Sequence, residues 1–301
     1  MAKRKRKPKD YSAFIATCDT GDQMAARPIK RHMKIQAFSG GGKTTWALNF
    51  FDNETQGMDP ESCLMTIIDC DLEGQAALIK RDDIVRPEIR SRIYRKVCRD
   101  PDQVNEAVLA FIDLNRQHQK DHPDGVRVML FENEGAYFIA CRDFYSQTVH
   151  GQSEADLMLS RQAEAIAEGK KTLPAFKEGQ MHSYKVINRV FFTPFERMKI
   201  GAEMFDYHFI STVLLRQYTE NYGTANEKQV VVAAGRADLT DPLFEWIIQL
   251  SAQQRTKNGK LQTRYLAVIK KARSIAPFQM ANHTPKKFWD QVLKAESELS
   301  R

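Results

Sequence analysis

Short apolar runs alternate along this chain with stretches whose apolar residues recur at helical spacing. Met33–Phe38 is the first such run and predicts a strand, followed by a glycine loop at Ser39–Gly42 and a helix starting over Thr44–Phe51. Leu64–Ile68 is a continuous apolar strand that stops at Asp69-Cys70-Asp71. A second helix opens at Asp100-Pro101-Asp102-Gln103: Asp100 suits the cap, Pro101 the first turn, and Gln103 can close a capping box. Val104, Ala107, Val108, Phe111 and Ile112 then follow helical spacing. Gly125 leads into Val126–Phe131, another buried-type strand, which ends at Glu132-Asn133-Glu134. Residues 140–182 are polar, with a helical stretch around Glu154–Glu168, and read as an insertion or lid. Helical spacing resumes through Val186–Ile200, and strands are predicted at His208–Leu215, Val230–Ala233 and Arg264–Ile269. Thr284-Pro285 opens a capped amphipathic helix carrying Phe288, Trp289, Val292 and Leu293. Strands alternating with helices predict an α/β fold with a mainly parallel sheet and helices on both faces. The chain divides into a basic segment over 1–30, a core over 31–280 with its lid or insertion near 140–182, and a C-terminal amphipathic helix over 281–301.

Composition narrows the class. Of 301 residues 42% are hydrophobic and 28% charged, and no apolar run approaches the ~20 residues of a membrane span. A membrane-embedded, collagenous or disordered chain is thereby set aside. The formal net charge is +7, and most of it is local: Lys3, Arg4, Lys5, Arg6, Lys7 and Lys9 stand against Asp10 alone. Such a run suits electrostatic, salt-sensitive contacts to nucleic-acid phosphates, and it equally suits a solubility tail or a nuclear-import address. No apolar segment or small-residue cleavage site follows it, so a signal peptide is not expected. The five cysteines form no C-x-x-C pair, which favours free thiols in a reducing compartment. Cytoplasm is the expected location, or the nucleus where the host has one.

The strongest local signal is Lys34-Ile-Gln-Ala-Phe-Ser-Gly-Gly-Gly-Lys-Thr-Thr-Trp. A phosphate-binding loop needs backbone N–H groups that converge on the β- and γ-phosphates, beside the partial positive charge of a helix N-terminus. Ser39, Gly40, Gly41, Gly42, Lys43, Thr44 and Thr45 are the candidate nucleotide-binding residues. Lys43 would reach the β/γ oxygens of ATP, and the Thr44 hydroxyl would ligate Mg²⁺. The pattern departs from G-x-x-x-x-G-K-[ST] at its first position, which is Ala37. The alternative is a glycine turn that holds nothing; the apolar strand before it and the helix after it favour phosphate. Triphosphate hydrolysis also needs carboxylates near the γ-phosphate. Asp69, Asp71 and Glu73 end one strand and Glu132 and Glu134 another. Asp71 is the candidate for water activation and Glu132 for the Mg²⁺ shell, which makes Lys43, Asp71 and Glu132 the candidate catalytic set.

In this order the motifs resemble the RecA-like P-loop ATPases, in particular the compact ones of phages and archaea, over roughly residues 33–275. The resemblance implies a three-layer RecA-like P-loop NTPase fold and Mg²⁺-dependent ATP hydrolysis acting on DNA in recombination or replication. It also implies a homo-oligomer in which ATP sits between the loop and a neighbouring subunit that can contribute a basic finger. Arg216, Lys271 and Arg273 are the finger candidates, with solvated charges at strand ends as the plainer reading. A γ-phosphate sensor would fall at Ser211 or Thr212. Bases and aromatics after the second acidic cluster (Arg142, Phe144, Tyr145, His150, Arg161, Lys170, Lys171, Lys177) suit single-stranded DNA, and suit a lid or partner surface as well, since nearby acids nearly cancel their charge. The chain also looks, less closely, like the ParA/MinD partition ATPases. Those carry a lysine where this chain has Phe38, and usually a proline after the second acidic strand. A nucleotide-binding scaffold without hydrolysis is the third reading. No membrane partner is expected.

Overall fold

The computed structural model describes residues 31–71, 75–169, 180–220, 228–257, 260–271 and 279–281. The basic segment 1–30, Glu73, Lys170, Lys171, Lys177, Arg273 and the helix expected after Thr284 lie outside the described residues. The strands are β1 (His32–Ala37), β2 (Cys63–Asp69), β3 (Ile93–Val97), β4 (Val126–Glu132), β5 (His208–Glu220), β6 (Lys228–Ala233), β7 (Trp246–Lys257), β8 (Lys260–Lys271) and β9 (Gln279–Ala281). The helices are α1 (Lys43–Glu54), α2 (Gln75–Ile79), α3 (Pro101–Asp121), α4 (Glu134–His150), α5 (Glu154–Ala167), α6 (Gln180–Phe205) and α7 (Ala237–Thr240). The protein is an α/β fold whose sheet runs β3-β2-β4-β5-β1-β7-β8-β9. The six strands from β3 to β7 in that order are mutually parallel. β8 and β9 continue antiparallel, and β6 pairs antiparallel with the far half of β5.

Apolar residues on both faces of the central strands explain why each face carries helices. Met33, Ile35, Val128, Leu130 and Ile210 pack on one face with Trp46, Phe50 and Phe51 of α1. Met129, Phe131 and Phe209 point the other way, into a core with Val104 and Val108 of α3, Tyr137 of α4, and Phe191 and Phe195 of α6. Strand residues alternate between faces, and this alternation sorts the site residues below.

Local chemistry fixes the helix ends and repairs one break. Asp100 caps α3 by accepting from Gln103 N at 2.9 Å. The expected capping box is displaced by one residue: the Gln103 side chain accepts from Arg99 N at 3.0 Å rather than from the cap residue itself. Pro194 lies inside α6 and cannot donate to the carbonyl one turn back. That carbonyl, Val190 O, instead accepts from the Tyr137 hydroxyl at 3.2 Å, so α4 supplies the hydrogen bond that proline removes.

The segment 140–182 contains the second half of α4, with Cys141 and Ser146 buried, and all of α5, in which Ala165 is buried. β5 runs past its expected end, to Glu220. β3 and β7 were not anticipated, although β7 is the direct neighbour of β1. Among the described residues no helix is long and apolar enough to cross a membrane.

Candidate functional site

The loop between β1 and α1 is shaped by all three of its glycines. Gly40 (φ 70°) and Gly42 (φ 81°) occupy the left-handed region, which side chains other than glycine seldom adopt. Gly41 is required for a different reason: a Cβ there would lie 2.6 Å from Ala37 Cβ and 2.9 Å from Phe38 O. Gly41 N also donates to Phe38 O at 2.9 Å, and Gly42 O accepts the first helical bond from Trp46 N at 2.9 Å. Ala37 is fully buried, so its methyl group occupies space that only a glycine at 41 leaves open. Ser39 is exposed on the outer turn.

Gly40, Gly42, Lys43, Thr44 and Thr45 line a cavity of about 350 Å³, facing Asp71, Gln75 and Glu132. Lys43 is only 9% exposed, yet its ammonium is given no hydrogen bond or ion pair with any described residue. The side chain is largely covered and stands at the wall of a cavity, where its charge acts on the Glu132 carboxyl. The Thr44 hydroxyl donates to Glu132 Oε1, which leaves the threonine lone pairs available to a cation. Gln75 Nε2 donates to Glu132 Oε2 at 3.2 Å.

Glu132 reaches this place by strand alternation. It follows Leu130 by two residues and therefore shares the α1 face, and the parallel register sets it level with Ile35, two residues before β1 ends, with β5 between. Burial pushes its carboxyl up to about 7, against the pull of the Thr44 hydroxyl and the Lys43 ammonium; Asp69 and Asp71 add to the rise. Asp71 Oδ2 accepts from Asn133 Nδ2 at 3.0 Å, which fixes that carboxylate from the residue after β4.

The other carboxylates of the two acidic strand ends are engaged elsewhere. Asp69 is fully buried and accepts from Arg95 Nε of β3 at 2.8 Å and from Asp71 N at 3.0 Å. Glu134 lies on the opposite side of the sheet, 3.3 Å from Lys34 Nζ. It also accepts from Ser211 Oγ at 2.6 Å and from Thr240 Oγ1 at 2.7 Å. Ser211 thus corrects one half of the sensor expectation, because alternation turns it away from α1. Thr212 faces the α1 side, and its hydroxyl is buried without a partner.

β8 is antiparallel, so its last residue pairs with Ile247 near the opposite edge of the sheet, and Lys271 Nζ donates to Asp241 O at 3.1 Å. Arg216 is exposed on β5 two residues beyond Leu214, the partner of Ala37. Among the bases and rings after β4, Arg142 is paired with Glu154, and Tyr145 stands edge-on to His150 at 6.4 Å.

Among the described residues no group of three or more His, Cys, Asp or Glu side chains could hold a metal ion. A cation at this site would have Thr44 and Glu132 as protein ligands. That all-oxygen, ligand-poor set suits Mg²⁺, which keeps several waters and takes phosphate oxygens. Gln75 is the site residue that sequence reasoning missed: an amide has no titratable signature, and nothing in the local sequence pairs it with Glu132 57 residues on. No protein-family model matches the chain, and no curated protein matches it in sequence.

Proposed function

We propose that the protein is a Mg²⁺-dependent, RecA-like P-loop ATPase that acts on DNA. The observation that carries this reading is the glycine loop that sets Lys43 in the wall of a cavity whose other wall holds the Thr44–Glu132 pair and Asp71. A triphosphate would satisfy the Lys43 ammonium together with the loop N–H groups at the start of α1. Mg²⁺ would neutralise β- and γ-phosphate oxygens from the Thr44 and Glu132 side. Asp71, held by Asn133, stands as the base: water oxygen bonds to the γ-phosphorus, the bond to the β–γ bridging oxygen breaks, and the released proton passes to Asp71 and then to phosphate.

The DNA part of the reading is supported by the Lys/Arg run near the N-terminus. The oligomeric part is supported by exposed Arg216, placed past the loop edge of the sheet where a neighbouring subunit's nucleotide could meet it. ATP binding and turnover measured with and without single-stranded DNA, beside Lys43→Ala, separate this reading from its two rivals. Turnover stimulated by single-stranded DNA and abolished in Lys43→Ala is the expected result. Nucleotide-driven dimers with little stimulation would favour a partition-type switch, and binding without turnover a non-hydrolysing scaffold.

A further inference from the structure

Asn133 is 3% exposed and stands between two anchored glutamates. Glu132 before it is held by Thr44 and Gln75 at the cavity. Glu134 after it accepts from Ser211 at 2.6 Å and from Thr240 at 2.7 Å on the other side of the sheet. Both ends of the Asn133 amide are used. Oδ1 caps α4 by accepting from Gly135 N at 3.0 Å, and Nδ2 donates to Asp71 Oδ2 at 3.0 Å. A backbone N–H only donates, so the cap decides which end of the amide is oxygen and turns the NH₂ group toward Asp71. Gly135 in turn packs so closely on Ala234 that a Cβ would lie 2.8 Å from the Ala234 methyl. A cap alone does not call for an amide, because serine or aspartate serves as well. The donor to Asp71 does.

We infer that Asn133 is the positioning residue for the base of the hydrolysis. Asp71 lines the cavity, and its backbone N is tied to Asp69 Oδ1 at 3.0 Å. Asn133 occupies its Oδ2, whereas Oδ1 accepts from no described residue. The helix cap thereby sets the plane of the carboxylate and leaves one oxygen to take the proton of the attacking water. The water oxygen bonds to the γ-phosphorus as the β–γ bridging bond breaks, the electron pair leaves with ADP, and the proton goes to Asp71. This inference rests on the ATPase reading above and adds to it the residue through which the fold aligns the base.

The test uses the full chain with Asn133→Ser and Asn133→Asp, each alone and the first also combined with Asp71→Asn. Both substitutes keep a cap acceptor for Gly135 N, but the serine hydroxyl stops one bond short of Asp71 and aspartate turns an acceptor toward it. In Asn133→Ser the denaturant midpoint should stay at the wild-type value, which certifies the fold. Its kcat should fall ~100-fold, with KM and the affinity for Mg²⁺-ADP-beryllium fluoride within ~3-fold of wild type. Asn133→Asp should be slower still, because two carboxylates then face each other. In the Asp71→Asn background Asn133→Ser should lower kcat no further, since a residue acting through Asp71 has nothing left to position. An undiminished kcat in Asn133→Ser would overturn the inference, as would a loss that multiplies with that of Asp71→Asn. Equal loss of kcat and nucleotide affinity would overturn it too and make Asn133 a residue of ground-state binding. A wild-type chain without ATP turnover would instead remove the ATPase reading, and this inference with it.

Discussion

Two lysine–glutamate neighbourhoods stand on opposite faces of the same sheet. Lys34, on β1, is wholly buried, and its ammonium meets Asp241 Oδ1 at 2.5 Å, Thr240 Oγ1 at 2.7 Å and Glu134 Oε2 at 3.3 Å. Its charge also lies over the Phe244 ring, 4.9 Å from the centroid. Lys43, nine residues on, is almost as buried and has none of this. Glu134 accepts from Ser211 and Thr240 besides its lysine, whereas Glu132 is held by one hydroxyl and one amide at the edge of a cavity. Burial raises both carboxyls. The difference lies in satisfaction: the first group is complete as it stands, whereas in the second the lysine makes no hydrogen bond and the cavity leaves room beside it. A saturated buried network ties elements together, and the open one is where the proposed nucleotide would sit.

Breaking the saturated network should have the largest effect. Lys34→Met leaves the Glu134 carboxyl buried without its cation, and a loss of about 3–5 kcal/mol is expected. Denaturant midpoints would measure it. Adding Glu134→Leu should recover a large part of that loss, because an apolar pair of similar volume is tolerated where a lone charge is not. If Lys34→Met were as stable as wild type, the comparison would fail at its firmer side. Lys43→Ala should behave in the opposite way. Stability should change by less than about 1 kcal/mol, since no hydrogen bond is lost and only the ammonium's pull on Glu132 is removed. Mg²⁺-ATP affinity, read by titration calorimetry, should fall at least ~100-fold, equivalent to about 2.7 kcal/mol.

The unsaturated side also has a pH signature. The native Glu132 carboxyl titrates at about 7, against an ordinary value of 4.5. Between those values the folded chain holds a proton that the unfolded chain has released, so stability falls as pH rises through that window and levels off above it. Glu132→Gln removes this term. Relative to wild type without nucleotide, the variant should gain about 3 kcal/mol at pH 8 and almost nothing below pH 4.5. Urea midpoints at pH 4.5, 6 and 8 decide the matter; a constant offset across that range would count against a raised Glu132.

The unequal legibility of the two groups in the sequence has a physical cause. The loop with its flanking strand and helix follows from contiguous apolar runs and local glycine chemistry, and Thr44 and Glu132 are linked by the phosphate-loop motif that expects both at one cation. The Lys34 network does not, because it joins residues 34, 134, 211, 240 and 241, and nothing in one sequence says which distant polar groups share a buried space. Ser211 and Thr212 differ only in which face they take, a matter of register that is set by Ile210 and Phe209 packing on opposite sides. β3 was hidden because Tyr94, Arg95 and Lys96 leave an edge strand with little apolar content. In β7, Gln249, Ser251, Gln253 and Gln254 interrupt an apolar run that elsewhere would announce a central strand.

The smallest predicted effect tests the fit of the loop itself. Ala37 stands where the usual pattern has glycine, and Gly41 where the pattern leaves the residue free. The two sites share one space: a methyl group at 41 would come 2.6 Å from the Ala37 methyl. Gly41→Ala should therefore cost about 1–3 kcal/mol, as overpacking does. Ala37→Gly should lose only the small contribution of one buried methyl group and some chain entropy, about 1 kcal/mol. In the double variant the methyl–methyl clash is gone, but the contact of 2.9 Å with Phe38 O remains. Rescue should accordingly be partial, with a coupling energy of about 1 kcal/mol from a double-mutant cycle on denaturant midpoints. Zero coupling would mean that the backbone clash alone dictates Gly41, and that Ala37 is tolerated independently of the three-glycine turn that holds Lys43 at the cavity.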